Sequence, residues 1–189
     1  MDEVGEAATT PSAVLTGGHG TLDRAGLAEL LRTAGVQHVV DVRRFPGSRR
    51  NPDVSRDAMG AWLPTEGIAY TWEERLGGRR RVPADQAGAD DWWRVESFRA
   101  YAAHTRTEEF RDGLAALREV AARSRTLVMC SESVWWRCHR RLVADALVLL
   151  HDVSVEHLAH DGRRTPHEPS AGARVAPDGL RYQATAAGG

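Results

Sequence analysis

The chain has 189 residues, 42% of them apolar, and its 25 basic residues nearly balance 26 acidic ones for a formal net charge of −1. These values are typical of an ordinary globular protein and argue against a dedicated nucleic-acid binder, whose footprint is a strongly basic face. No apolar run approaches the roughly 20 residues that span a bilayer, and the acidic N-terminus does not resemble a secretory signal. We therefore expect a cytoplasmic protein with no membrane partner and with both cysteines reduced.

Apolar runs and turn residues predict strands that alternate with helices along the chain. The strands are expected at residues 12–16, 37–42, 68–72, 126–130 and 153–158, and the helices at 21–34, 55–63, 97–104, 107–123 and 137–151. Strands separated by helices pair in parallel through right-handed crossovers. The predicted fold class is α/β: a single Rossmann-like, three-layer domain with a mostly parallel sheet of about five strands and helices on both faces.

Composition divides the chain into three parts. Residues 1–11 are small, acidic and aperiodic and are predicted to be a disordered leader, and 12–160 are predicted to form the α/β domain. Residues 161–189 are rich in Pro, Gly and Ala and are predicted to be a mostly disordered tail, except around 180–182. Within the domain, the irregular segment 73–96 is long for a connection, which favours a functional loop.

The densest group of reactive side chains lies around the fourth strand. That strand ends in Cys130, a polar loop with Glu132 follows, and a Cys-His-Arg-Arg sequence at 138–141 opens the next helix. The carboxyl ends of parallel strands meet at one edge of the sheet, where ligands bind. His19 and Asp41 follow the first two strands and are expected at the same edge. The predicted catalytic residues are therefore His19, Asp41, Glu132 and Cys130.

Each of these four residues has a role in the prediction. His19 and Glu132 would act as acid and base, with Asp41 orienting one of them. Cys130 lies where a nucleophile would, and nearby arginines favour its thiolate. Structural alternatives stay open, because Asp41 could equally brace a loop and Cys130 could simply be a buried residue at a strand end.

All 25 basic residues are arginines, and several of them cluster. Guanidinium forks suit phosphate and carboxylate groups, and an aromatic ring beside them can stack a nucleobase. The residues predicted to bind the substrate are Arg43, Arg49, Arg50, Arg79, Arg137, Arg140 and Trp135.

The sequence predicts no metal ligand and no cofactor. Cys138 and His139 are expected on the first turn of a helix, where adjacent side chains project about 100° apart. No Cys-x-x-Cys or His-x-x-x-His spacing occurs, and such spacings are the usual signature of a metal site. The glycine-rich signatures of dinucleotide and P-loop binding are also absent from the sequence.

Six ordered motifs together carry a family resemblance. They are residues 16–20 (Thr-Gly-Gly-His-Gly), 41–52 (beginning Asp-Val-Arg), 67–70 (Gly-Ile-Ala-Tyr), 76–79 (Leu-Gly-Gly-Arg), 97–101 (Ser-Phe-Arg-Ala-Tyr) and 129–141 (Met-Cys-Ser-Glu through Arg-Cys-His-Arg-Arg). In this order they resemble the bacterial "domain of unknown function 488" family. Gly17 and Ser131 depart mildly from the family pattern, in which isoleucine and alanine are commoner. The resemblance implies membership and fold but supplies no reaction.

The residues favour an enzyme that acts on a nucleotide-like or nucleic-acid substrate, by hydrolysis or lysis at a phosphate or glycosidic bond. The expected partner is thus an anionic, nucleotide-like small molecule or a nucleic acid, and the oligomeric state is left open. One alternative is a thiol or sulfur-transfer enzyme that uses Cys130, with Cys138 as the resolving partner. A further alternative is a non-catalytic nucleic-acid-binding module whose arginine loops contact phosphates.

Overall fold

Short apolar runs form the strands of one mixed sheet. The computed structural model describes residues 13–184. The strands are β1 (Val14–Gly18), β2 (His38–Asp41), β3 (Ala69–Trp72), β4 (Thr126–Cys130), β5 (Val155–Leu158), β6 (Arg164–Pro166), β7 (Ala173–Ala176) and β8 (Gly179–Tyr182). The first six form one sheet in the order β3-β2-β4-β1-β5-β6, parallel except for β6, while β7 and β8 form a separate antiparallel pair. The predicted mostly parallel α/β fold is confirmed.

Five α-helices connect and cover the strands. They are α1 (Arg24–Thr33), α2 (Arg56–Trp62), α3 (Glu96–His104), α4 (Glu108–Ala121) and α5 (Arg140–His151). Ser55 and Thr107 cap α2 and α4 by accepting a hydrogen bond from a backbone N–H, as their positions predict. The first helix begins later than the predicted residue 21: Asp23 caps it, its carboxylate accepting from Gly26 N at 2.8 Å.

The helices pack on both faces of the sheet and bury two apolar cores. On one face, α1 and α2 place Leu27, Leu31 and Met59 against the sheet. On the other, α3, α4 and α5 bury a second cluster that includes Tyr101 and Leu142. Strands β1 and β4 are buried along their whole length, as a parallel sheet covered on both faces requires. The arrangement is the predicted three-layer architecture.

The C-terminal segment differs from the prediction of a mostly disordered tail. Residues 161–184 contain β6, β7 and β8, and Leu180 and Tyr182 are completely buried. Arg106 donates hydrogen bonds to both Asp90 carboxylate oxygens and to the Leu180 carbonyl. A few buried side chains thus fix a segment whose average composition is that of a loop. The predicted leader, 1–11, and the last five residues lie outside the described part of the chain.

No helix within residues 13–184 is long and apolar enough to cross a membrane.

Candidate functional site

The carboxyl edge of the sheet carries a cluster of two thiols and one imidazole. Cys130 ends β4, and Cys138 and His139 follow the loop after it. The two Sγ atoms and the His139 Nδ1 all lie within 4.8 Å of one another. His139 Nδ1 is 3.6 Å from Cys138 Sγ and 4.0 Å from Cys130 Sγ. Both cysteines are free and buried, so the cluster forms the floor of the site.

The backbone before α5 explains why two adjacent side chains converge. Residues Trp135–Arg137 form a single 3-10 turn, Cys138 is extended (φ −124°, ψ 149°), and α5 begins only at Arg140. The prediction that Cys138 and His139 lie on one helical turn and diverge by about 100° is therefore wrong. An extended residue followed by a helix N-cap turns the Cys138 thiol and the His139 ring to the same point.

The orientation of the His139 ring is fixed by one backbone group. Its Nε2 lies 3.1 Å from the carbonyl oxygen of Val42, which can only accept a hydrogen bond. Nε2 therefore carries the proton, and the lone pair of Nδ1 faces the two thiols. The ring also packs against Tyr101, with centroids 4.9 Å apart.

The two thiols differ in acidity. The pKa of Cys138 is lowered well below its usual range, first by the hydrogen bond from the Cys130 thiol and then, against the opposing effect of burial, by the Arg140 guanidinium. The pKa of Cys130 is raised by that same hydrogen bond and by burial. The surroundings therefore favour a thiolate at Cys138, whereas the sequence assigned the nucleophile to Cys130. The thiol-chemistry alternative itself stays a prediction.

Arginines surround the mouth of a pocket above this floor. The cavity measures about 310 Å³, at the lower end of the range for small-molecule sites. Its charged rim consists of Arg43, Arg44, Arg79, Glu132 and Arg137, and its aromatic walls of Phe45, Phe98 and Tyr101. The segment 73–96 contributes Gly78 and Arg79 to this lining.

Three rim arginines have no carboxylate partner within residues 13–184. The guanidinium groups of Arg44, Arg79 and Arg137 form no salt bridge with any described residue, although Arg44 donates to the Arg79 carbonyl at 3.1 Å. Other arginines of the fold are paired, namely Arg43 with Asp41, Arg75 with Glu73, Arg80 with Glu109 and Arg106 with Asp90. The rim therefore presents uncompensated positive charge, which attracts an anion.

The predicted residues His19 and Asp41 lie beneath the pocket rather than in its lining. Both Asp41 oxygens accept from the Arg43 guanidinium, at 2.8 and 2.6 Å, and Asp41 is completely buried. Arg43 also approaches His19 Nε2 at 3.3 Å, while His19 Nδ1 donates to the Gly20 carbonyl. Burial and the Arg43 charge lower the pKa of His19. This network has the form of a brace between β1 and β2, and the catalytic roles predicted for His19 and Asp41 stay untested.

The remaining predicted residues separate into those at the pocket and those away from it. Glu132 lines the rim but is exposed, and its carboxylate accepts a hydrogen bond from Val134 N at 3.2 Å. Arg137 and Arg79 lie at the mouth. Arg49 and Arg50 are exposed and do not line the cavity.

Arg140 and Trp135 hold the loop instead of facing the pocket. Arg140 is 1% exposed, and its guanidinium donates to the Glu132 carbonyl and, at 3.4 Å, to Cys138 Sγ. The position of Arg140 supports a structural role, in which it holds the loop in place, and not the direct contact with substrate that was predicted. Trp135 stacks on His157 with ring centroids 3.9 Å apart, outside the cavity lining. The sequence did not single out Arg44, Phe45 or Tyr101 as site residues, although Arg44 and Phe45 are the two residues after Arg43.

A buried chain of hydrogen bonds anchors Trp135. Thr16 Oγ1 lies 2.6 Å from His157 Nδ1, His157 Nε2 lies 2.9 Å from His167 Nδ1, and His167 Nε2 lies 2.8 Å from an oxygen of Asp145. Since a carboxylate only accepts, His167 donates from Nε2 to Asp145, and the two imidazoles link this carboxylate to the Thr16 hydroxyl. The loop that follows β4 thus rests on a chain that connects β1, β5 and α5.

This chain predicts a loss of stability in mild acid. Burial, the neighbouring His167 and Arg140 lower the pKa of His157 to about 3, whereas an unfolded histidine titrates near 6.5. Between about pH 3 and pH 6.5 the unfolded chain binds a proton at His157 that the folded chain does not bind. The free energy of unfolding therefore falls as the pH falls, by at most about 1.4 kcal/mol per pH unit for this residue. Urea unfolding at pH 7.5, 6.5, 5.5 and 5.0 measures the slope. His157→Gln should show a shallower slope, and equal slopes in both proteins would contradict the assignment.

Comparison with known proteins supports the family resemblance and adds no named activity. None of the curated proteins and none of the solved structures compared with the chain matches it significantly. The family model described as "Domain of unknown function DUF488" matches residues 23–147. The match begins at the cap of α1, includes the thiol–imidazole cluster and ends within α5. The chain therefore belongs to the DUF488 family.

Proposed function

We propose that this protein is an enzyme that binds an anionic, nucleotide-sized substrate at the arginine rim and acts on it above the Cys130, Cys138 and His139 floor. The reaction class is hydrolysis or lysis at a phosphate or glycosidic bond. A single observation carries the proposal: three arginines without carboxylate partners in the described chain surround a cavity whose floor holds titratable groups. Unpaired positive charge beside groups that can transfer protons is typical of an anion-processing site.

The shape and chemistry of the pocket support a nucleotide-like substrate. Phe45 is 64% exposed, and the guanidinium carbons of Arg44 and Arg79 each lie 5.7 Å from the centre of its ring. An exposed aromatic ring between guanidinium groups offers a stacking surface next to phosphate-binding charge. A cavity of about 310 Å³ suits a small molecule better than a nucleic-acid duplex.

Glu132 is the candidate general acid or base within the pocket. Its carboxylate is at the rim and exposed, between the thiol–imidazole floor and the arginines. A carboxylate at the mouth of the cavity is placed to act as a base that activates water. The negative charge on the phosphate oxygens during cleavage of a phosphate bond would lie within reach of the unpaired guanidinium groups.

The proposal predicts that the rim arginines provide most of the affinity for an anionic ligand. A panel of nucleoside monophosphates, nucleoside diphosphates and sugar phosphates is screened by thermal shift, since a bound ligand stabilises the folded state. Calorimetry then compares Arg79→Met and Arg137→Met with the wild type for the strongest probe. Each charged hydrogen bond contributes about 1.5–3 kcal/mol, so each variant should bind roughly 10- to 100-fold more weakly.

Arg111→Met is the matched control, because Arg111 is an exposed arginine on α4 outside the cavity lining. Its affinity should equal that of the wild type. Glu132→Gln should keep its affinity for the probe but lose product formation, measured by mass spectrometry. Unchanged affinity in an Arg79→Met/Arg137→Met double variant would overturn the proposal. Oligonucleotide binding that weakens steeply with salt, without turnover, would instead favour the non-catalytic module.

A further inference from the structure

We propose that Cys130, Cys138 and His139 bind one zinc-type divalent metal ion through their Sγ, Sγ and Nδ1 atoms. The fourth coordination position would face the arginine pocket. The metal site rests on the geometry of the three side chains alone. Only the use of its open position rests on the proposed function.

The distances among the three donors fit a tetrahedral ion with little rearrangement. Zinc lies about 2.3 Å from a thiolate sulfur and about 2.0–2.1 Å from an imidazole nitrogen, so two donors on the same ion are roughly 3.5–3.8 Å apart. His139 Nδ1 lies 3.6 Å from Cys138 Sγ and 4.0 Å from Cys130 Sγ. No donor pair in the cluster exceeds 4.8 Å. Small side-chain rotations would bring all three donors to one ion.

The surroundings of the donors are those of a preorganised site. The Val42 carbonyl holds the Nε2 proton of His139, which directs the Nδ1 lone pair into the cluster. This is the outer-shell contact that metal-bound histidines usually make. Arg140 donates to Cys138 Sγ at 3.4 Å and so stabilises the thiolate form that binds metal.

Gly78 lets the 73–96 loop pass close to the His139 ring. A Cβ atom at this position would lie only 3.0 Å from His139 Nδ1 and 3.4 Å from Cε1 of the same ring. A larger residue would therefore press on the ring at Nδ1 and displace it. Glycine at this point of the loop allows the ring to keep the orientation that directs Nδ1 at the thiols.

The donor types select the ion and leave one position open. Two thiolates and one imidazole suit zinc or another soft ion, whereas Mg²⁺ and Ca²⁺ prefer oxygen. Within the described residues the donor group has three members, and all three line the arginine pocket. Three protein donors with an open fourth position are typical of catalytic zinc, while structural zinc is enclosed by four. The open position is where a water molecule or a substrate oxygen would bind.

The test measures metal binding and does not depend on turnover. Protein purified under reducing conditions and stripped with a chelator is titrated with Co²⁺ and with Zn²⁺. We expect one ion per chain by native mass spectrometry, and sulfur-to-cobalt charge-transfer bands with intense d–d bands that zinc abolishes. Cys130→Ser, Cys138→Ser and His139→Gln should each weaken binding more than the roughly 10- to 100-fold that loss of an outer-shell partner costs.

Two further variants keep the result interpretable if a ligand variant fails to fold. Gly78→Ala retains every donor but presses on the His139 ring at Nδ1, and it should weaken Co²⁺ binding while circular dichroism stays unchanged. His151→Gln, at the far end of α5, should bind Co²⁺ as the wild type does. Wild-type protein that takes up no stoichiometric Co²⁺ or Zn²⁺, or that forms only a Cys130–Cys138 disulfide, would overturn the metal site. Those results leave the arginine affinities untouched, so the two proposals fail separately.

Discussion

Replacing Asp41 by alanine is expected to lower the free energy of unfolding by about 3–5 kcal/mol. The change removes the carboxylate that accepts two hydrogen bonds from the Arg43 guanidinium and a third from the Tyr70 hydroxyl. Both charged residues are buried, with exposed fractions of 0% and 5%. An isolated guanidinium in that environment lacks the water and the counter-charge that stabilise it, so the native chain is destabilised relative to the unfolded one. Urea denaturation monitored by tryptophan fluorescence measures the change.

A surface control variant and a double variant distinguish a loss of stability from a loss of catalysis. Asp57 pairs with Arg56 at the surface, and Asp57→Ala should cost less than about 1 kcal/mol. Asp41→Ala combined with Arg43→Met should recover part of the loss, because no unpaired charge remains buried. If Asp41→Ala unfolds within about 1 kcal/mol of the wild type yet abolishes turnover, Asp41 is a catalytic residue and not a brace.

The strands and their convergence were predictable because they depend on local patterns. Thr126–Cys130 is a continuous apolar run bounded by turn residues, and its predicted and observed limits coincide. Parallel pairing then follows from the alternation of strands and helices. The expectation that side chains after β1, β2 and β4 approach one another required no further information, and Arg43 does reach both Asp41 and His19.

The geometry of the site depends on the backbone conformation of residues 135–138, which the spacing of apolar residues does not predict. Apolar spacing continues from α5 back through Trp135 and Trp136, so a helix from residue 137 was a reasonable interpretation. The chain instead forms a 3-10 turn and an extended residue at Cys138. Trp135 stacks on His157, which lies more than twenty residues away in sequence, and this contact favours the turn. A tertiary contact thus overrides the local pattern and brings Cys138 and His139 together.

The sequence likewise does not predict which arginines form ion pairs. Arg43 and Arg44 are adjacent and chemically identical, yet Arg43 is buried in an ion pair with Asp41, whereas Arg44 has no carboxylate partner among the described residues. Successive side chains of an extended backbone project to opposite sides of the chain, and this places the two guanidinium groups in different surroundings. The ordered segment 161–184 was missed for a related reason: Leu180 and Tyr182 fill space beside α3 and α5, and only the folded chain shows that this space exists.

Two neighbouring glycines in β1 provide a test of how rigidly the loop after β4 is held. A Cβ atom on Gly18 would lie 1.9 Å from the Glu132 carbonyl oxygen and 2.4 Å from its carbon, both backbone atoms. On Gly17 the nearest atom is a methyl group of Leu127, a flexible side chain, at 3.1 Å. A methyl group added at Gly18 therefore clashes with backbone atoms, whereas one added at Gly17 contacts a side chain that can move.

Gly18→Ala is expected to destabilise the protein by roughly 3 kcal/mol or more, the upper range for overpacking. Relief of the clash must move the Glu132 carbonyl, which accepts from Arg140, and Arg140 in turn contacts Cys138 Sγ. The displacement therefore reaches the thiol cluster, and Co²⁺ binding should fall together with stability. Gly17→Ala should cost less than about 1.5 kcal/mol, as tolerated core changes do, and should leave Co²⁺ binding intact. Urea denaturation and Co²⁺ titration of both variants decide the matter. If the two alanine variants lose equal stability and bind the probe ion alike, the loop is not held by its contact with Gly18, and the thiol cluster owes its geometry to α5 alone.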